Sequence, residues 1–295
     1  MDLWLIGELA LTGALVGLMY GLVAVGIVLV YKTSGVANFA QGAIAMTGGY
    51  ATWAIASFAG LSMWIAIPLA LAAMFLFGTL VEHAVLRHMV GQPVIMIIMV
   101  TFGIEIFLRG LMPGTFGVAV KRLDLGIPQA PLFLGEMLIN RAYLVGGAIS
   151  ALLILAAIVL FNSRAGIVMR AVSDDQGASW SVGIRVERAI AIAWGLAGAT
   201  ACAAGILWGS IQGVDWSLSL LLMKALAIAI LGGLDSIPGV LLAGLIVGVA
   251  ESLATGVIDP LVGGGTRDIV ASVIIVLTLL VRPYGLFGRE HIERV

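Results

Sequence analysis

Residues 9–31 read LALTGALVGLMYGLVAVGIVLVY, and residues 32–42 continue as KTSGVANFAQG. The first run has no charged side chain and exceeds the roughly 20 apolar residues that a helix needs to cross a bilayer. Lipid offers no water to stray backbone groups, so such a run must close its own hydrogen bonds as a helix. The second run breaks that regime. Lys32, Thr33, Ser34, Asn38 and Gln41 are polar, Gly35 and Gly42 loosen helix geometry, and another apolar run follows at once. A helix, a polar break and a second helix form the pattern that decides the fold.

The pattern recurs along the chain. Apolar stretches cover 9–31, 42–59, 62–82, 94–112, 142–162 and 189–212, then two shorter pieces at 218–231 and 239–256, and a last stretch at 268–282. Of 295 residues, 61% are apolar and 11% charged, against about 25% charged in ordinary soluble domains. The expectation is an all-α, polytopic transmembrane bundle of about eight to nine spans, one domain over 1–295, with interrupted or re-entrant segments. Residues 113–139 contain Pro113, Gly114, Gly117, Pro128 and Pro131 and read as an external loop with short elements. Met1 to Glu8 lacks a basic region, so the first apolar run reads as a retained membrane helix. A net charge of −1 supplies no basic field for nucleic acid.

Lys and Arg set the expected orientation. An external N-terminus places Lys32, Arg87, Arg164, Arg170, Arg185, Arg188, Arg282, Arg289 and Arg294 in the cytoplasm, and Lys121, Arg122, Arg141 and Arg267 outside. The C-terminus is then cytoplasmic. Glycines four apart, Gly13, Gly17 and Gly21, then Gly205 and Gly209, then Gly244 and Gly248, provide faces for close helix approach. Those faces can serve this chain or a second membrane subunit.

Two interruptions stand out, the 31–42 break and the turn-rich run Gly232-Gly233-Leu234-Asp235-Ser236-Ile237-Pro238-Gly239. Paired breaks in the two halves of a transporter point to its pathway, although ordinary connecting loops would look similar. On this reading Asn38, Phe39, Gln41, Gly42, Gly232, Gly233, Asp235 and Ser236 border a substrate path, with Asp235 the carboxylate expected to face water. The loop at about 163–188 is the longest polar stretch on the expected cytoplasmic side. Ile167, Arg170, Ala171 and Asp174 fit one short amphipathic helix, and Ala178 to Val182 fit another stopped by Gly183. Such a pair forms a docking surface, with Trp180, Val182 and Ile184 awaiting a burial partner.

Sequence patterns for catalysis or metal binding are weak. No lysine follows a glycine, which excludes a G-x-x-x-x-G-K phosphate loop. His83 and His88 miss the i, i+4 zinc spacing, and adjacent Asp174 and Asp175 diverge on a helix. Cys202 reads as a small buried hydrophobe. No catalytic residue, metal site or cofactor is assigned to this chain. Glu105 and Arg109 have the spacing of an internal ion pair, while Lys224 and Glu251 can snorkel towards an interface.

Together these segments resemble the membrane permease subunit of branched-chain amino acid ABC importers, of the LivH type. Asn38-Phe39-Ala40-Gln41-Gly42 is similar to the family's N-F-A-x-G signature, and Arg170 to Asp175 followed by Gly183-Ile184 resembles its coupling segment. Leu231-Gly232-Gly233, Ser236-Ile237-Pro238-Gly239 and Arg282-Pro283-Tyr284-Gly285-Leu286-Phe287-Gly288 resemble its late motifs. The likeness spans essentially the whole chain, with departures at Gln41, where His is common, and Asp235, where a small residue is frequent. It implies a multi-pass protein of the bacterial inner membrane and a second permease subunit, a paralogue or another copy. Two cytoplasmic ATPase subunits holding ATP and Mg, and a periplasmic substrate-binding protein, complete the implied assembly. Arg170, Asp174, Ala178, Trp180, Gly183 and Ile184 would then couple to the ATPase. Branched-chain amino acids are the implied substrates, with urea, amides or aromatic acids as relatives' cargo. A self-sufficient channel or secondary carrier is the alternative, and it would not need the 163–188 loop for docking.

Overall fold

The computed structural model describes residues 3–89, 92–128 and 130–288. Arg289 and Arg294 of the charge count lie outside the described residues. In chain order the elements are α1 (Leu3–Ser34), α2 (Gln41–Phe58), α3 (Met63–Ala84), α4 (Val94–Phe116), β1 (Leu132–Leu134), β2 (Met137–Ile139) and α5 (Arg141–Asn162). They continue with α6 (Arg164–Asp174), α7 (Gln176–Ser181), α8 (Val186–Gln212), α9 (Leu221–Gly232), α10 (Ile237–Val262) and α11 (Thr266–Val281). The architecture is a helical bundle with one small antiparallel hairpin, in which Leu132 faces Ile139. That hairpin is a local departure from a purely helical reading.

Among the described residues, six helices are long and apolar enough to cross a membrane: Trp4–Ser34, Met63–Met89, Val94–Phe116, Arg141–Asn162, Val186–Gln212 and Ile237–Val262. The expected eight to nine included three that fall short. Helix α2 has 18 residues but carries Gln41, two threonines and Tyr50. Helices α9 and α11 have only 12 and 16 residues, or about 18 and 24 Å at 1.5 Å per residue. Two other boundaries move outward, because α4 runs through Pro113 to Phe116 and α10 runs through Pro260 to Val262. Proline removes one backbone donor, and in membrane helices neighbouring groups tolerate that loss.

Helix α1 is the axis of the bundle. Of its most apolar window 89% is buried, against 17% for α4, so one apolar helix is a core and the other a periphery. Glycine makes the difference. Gly13 and Gly17 lie directly on the backbone of Gly248 and Gly244, with α10 running antiparallel. Gly146 and Gly147 of α5 seat Met19 and Leu15, and Gly205 of α8 rests on the Ala45 carbonyl. Dispersion between close backbones holds helices together where lipid provides no hydrophobic drive. The small-residue faces noted in the sequence therefore serve this chain itself. Cys202, fully buried, packs against Gly48.

One end of the bundle holds the start of α1, where Glu8 Oε2 accepts from Leu138 N–H at 3.0 Å, and Lys121 bridges to Val214. The opposite end gathers the close of α1, helices α6 and α7, and the turn at 233–236.

Candidate functional site: two helix breaks joined by one short helix

Helix α1 ends at Ser34, and Gly35 takes a φ of 71°, a left-handed conformation that glycine adopts without strain. The chain then folds back along α1. The Gln41 amide reaches Gly26, about two turns before the end of α1, so α2 begins inside the bundle. Asn38 and Gln41 are both 0% exposed. Asn38 Nδ2 donates to Gln41 Oε1 at 3.0 Å, Gln41 Nε2 donates to the Ala197 carbonyl at 3.0 Å, and Asn38 Oδ1 accepts from Ala40 N–H at 2.9 Å. Phe39 N–H donates to Thr101 Oγ1 at 3.3 Å, and its ring stacks on Phe102 at 4.6 Å. Gly42 lies against the Ser219 carbonyl and Leu222. The first break is thus a closed junction among α1, α4, α8 and the start of α9.

The second break uses backbone instead. Gly232 and Gly233 are buried, and Gly233 has a φ of 95°. Leu286 N–H donates to the Leu231 carbonyl at 2.8 Å, and Phe287 N–H to the Gly232 carbonyl at 3.3 Å, which seats the turn 283–287 on the end of α9. Ser236 caps α10 by accepting from Gly239 N–H at 3.0 Å. Asp235 is half-buried, and its carbonyl accepts from Lys32 Nζ at 2.5 Å. Its carboxylate is not what the contact uses.

The two breaks touch where Lys32 donates to the Asp235 carbonyl, while the Asn38–Gly42 part of the first lies away from the second. Gly42 touches the start of α9 at Leu222, whereas the second break lies at the other end of α9. One helix of 12 residues and the Lys32–Asp235 contact connect them.

The 163–188 segment forms the two short helices expected of it. Helix α6 buries Gly166, Met169 and Val172 against the bundle and leaves Asp174 exposed, with Arg170 half-buried. Helix α7 is capped at both ends. Asp175 Oδ1 accepts from Ala178 N–H at 2.9 Å, while Gly183 N–H and Ile184 N–H close onto the Trp180 and Ser179 carbonyls at 3.1 and 3.0 Å. That closing pair is a Schellman motif, with Gly183 at a φ of 85°. Ala178 and Gly183 are exposed, Ile184 is half-buried, and Trp180 and Val182 are 71% and 75% exposed.

A charge cluster escaped the sequence reading. Lys224 Nζ lies 2.9 Å from Glu251 Oε1, 2.9 Å from Asp268 Oδ1 and 2.9 Å from the Arg267 carbonyl. Lys224 and Glu251 are 8% and 2% exposed, so they tie α9, α10 and α11 together and do not snorkel. Beside them a cavity of ≈ 400 Å³ is lined by Tyr20, Trp208, Ser217 and Arg267. The Glu105–Arg109 pair forms as its spacing implied, at 3.4 Å. A second cavity, of ≈ 300 Å³, lies at the α6–α7 end beside the first break.

A polytopic helix bundle with a pair of helix breaks and an exposed capped helix suits a membrane transport subunit. Residues 9–281 match the family described as branched-chain amino acid transport system / permease component, and the chain belongs to that family. It is 29% identical to the high-affinity branched-chain amino acid transport system permease protein LivH of Escherichia coli, with 96% of each chain covered. It is 31% identical to BraD of Pseudomonas aeruginosa, another high-affinity branched-chain amino acid transport system permease protein, again with 96% of each covered. Identity to the probable LivH of Methanocaldococcus jannaschii is 28%, over 90% of this chain and 88% of that one. One chain of the solved structure "PsaBC from Streptococcus pneumoniae in complex with Fab" superposes with a TM-score of 0.50 at 12% identity, covering 94% of this chain and 92% of that one. That likeness concerns the fold alone. As a family member the chain is a permease component and not an enzyme, which answers the alternative of a self-sufficient carrier.

Proposed function

We propose that this chain, with a second permease subunit, forms the membrane pathway of an ATP-driven importer for branched-chain amino acids. Its relatives carry that substrate class in their names. The observation that carries the reading is α7, a helix fixed by caps at both ends that still presents Trp180 and Val182 to solvent at 71% and 75% exposure. A rigid apolar tip on a membrane protein fits a groove on a partner. The partners are two ATPase subunits, which hold ATP and Mg, and a periplasmic binding protein that delivers the ligand.

The α6–α7 end faces the cytoplasm, consistent with Lys32, Arg87, Arg164, Arg170, Arg185, Arg188 and Arg282 on one side. The chain sits in the bacterial inner membrane with its N-terminus outside, and residues 117–139 lie on the external side. Helix α2 starts part-way along α1 and α9 is short, so each completes its crossing with the non-helical break beside it, and together with α11 they carry the chain between the two sides alongside the six long helices. Asn38, Phe39, Gln41 and Gly42 form the closed side of the path, and Gly232, Gly233, Asp235 and Ser236 form the hinge through which α9 moves.

The test is ATP hydrolysis by the complex, assembled from neighbouring gene products in lipid discs, with and without leucine-loaded binding protein. Stimulation by the loaded protein supports the reading. An assembled complex that hydrolyses ATP at an unchanged rate overturns the substrate class. Trp180→Asp and Gly183→Pro are expected to abolish the stimulation while the chain remains in the membrane.

A further inference from the structure

The ≈ 300 Å³ cavity at the α6–α7 end is walled by three parts of the molecule. Ser34 to Ala37 come from the first break, Gln176 from the first turn of α7, and Glu82 and Arg87 from the close of α3 and the turn after it. Its volume sits at the small end of ligand pockets, about 300–1,000 Å³. Leu86, Ile97, Ile190 and Trp194 give it apolar walls.

The polar side of this cavity is unfinished. Glu82 is 2% exposed, yet its Oε2 makes no hydrogen bond among the described residues. The facing Arg87 Nη2 stands 3.8 Å away, beyond hydrogen-bond reach, and Arg87 Nε is also unpartnered among the described residues. A buried carboxylate oxygen without a hydrogen bond is costly. A loosely facing pair of opposite charges beside an apolar wall matches one chemistry, a zwitterion with an apolar side chain. An ammonium group satisfies Glu82, a carboxylate satisfies Arg87, and an aliphatic side chain lies against Ile97 and Ile190.

We propose that this cavity binds a free apolar α-amino acid, the transported product, and that occupancy slows import. The inference rests on the amino acid reading above. An occupant bridges the first break and α7, and a ligand that prefers one arrangement of those elements holds the transporter in it. Glu82 and Arg87 are then ligand-binding residues for product, separate from the path-side breaks.

The experiment uses the assembled importer in vesicles loaded with ATP, with binding protein and labelled leucine outside. Initial uptake is compared with and without millimolar unlabelled leucine inside. The expected result is slower uptake with internal leucine, no slowing by internal isoamylamine or 4-methylpentanoate, which each lack one charge, and normal uptake when the lumen holds no leucine. Glu82→Gln keeps the side-chain shape, and Arg87→Met alters a side chain 38% exposed. Either is expected to raise the internal leucine needed for inhibition by about tenfold, the size of one charge-assisted hydrogen bond, without lowering uptake into leucine-free vesicles. Uptake that proceeds equally with and without internal leucine overturns the proposal and leaves the importer reading intact. Inhibition that both variants retain at the same concentration overturns the assignment to this cavity. Absence of uptake by a complex that hydrolyses ATP defeats the amino acid reading, and the proposal with it.

Discussion

The first and second breaks interrupt apolar helices in the same chain, yet they satisfy their backbone by opposite means. At the first, side chains turn inward: Asn38 and Gln41 are fully buried and consume each other's hydrogen bonds together with the Ala197 carbonyl. At the second, main chain meets main chain, as Leu286 and Phe287 donate to the end of α9 and Asp235 contributes a carbonyl. A polar residue in a membrane break is therefore no direct sign of water. It can equally be the substitute for a missing backbone partner.

This contrast can be attacked by substitution. The largest effect is expected from Gly42→Leu, because the new side chain meets the Ser219 carbonyl and Leu222, neither of which can withdraw without moving α9. Its cost should reach or exceed the top of the range of about 1–3 kcal/mol for overpacking. A collapsed melting temperature in detergent and lost uptake would register it, and a wild-type melting curve would break the packed-junction description.

Gln41→Leu comes next. It strands Asn38 Nδ2, at about 1–3 kcal/mol for a buried group left unpaired, while the Ala197 carbonyl keeps the Thr200 hydroxyl, and Gln41→Glu should not rescue it because a buried carboxylate would then face the Ala197 carbonyl oxygen without a proton to donate. Thermal unfolding of the three proteins side by side checks this. Ser236→Ala, in the second break, removes only the cap on α10 and should cost about 1 kcal/mol, seen as a smaller shift in the same assay. Smallest of all is Asp235→Asn. Lys32 bonds the carbonyl, which the substitution preserves, so stability should stay within about 0.5 kcal/mol and uptake near wild type. A large loss of uptake at unchanged stability would show that the carboxylate itself faces the path.

Much of this was legible in the sequence where the signal was local. The breaks, the two short helices and the Gly183 stop all lie within a few residues of their own cause, and Glu105–Arg109 is fixed by one helical turn. What escaped was produced by distance. Lys224 finds Glu251 and Asp268 only because α10 and α11 return beside α9, and no spacing rule links those positions. Asn38 and Gln41 were legible as polar residues in a break, but the Ala197 carbonyl that consumes one of them lies on α8. Proline misled in the other direction, since Pro113, read as the start of the external loop, is carried within α4.

The central place of α1 has a consequence for synthesis. Helix α1, the one that ends up most enclosed, leaves the ribosome well before α10, which covers its Gly13 and Gly17 face. Through most of translation that glycine face is open to lipid or to any passing helix. A chain cut short before α10 should therefore reach the membrane as a sticky intermediate, and quality-control proteases would meet it with its best adhesive surface uncovered.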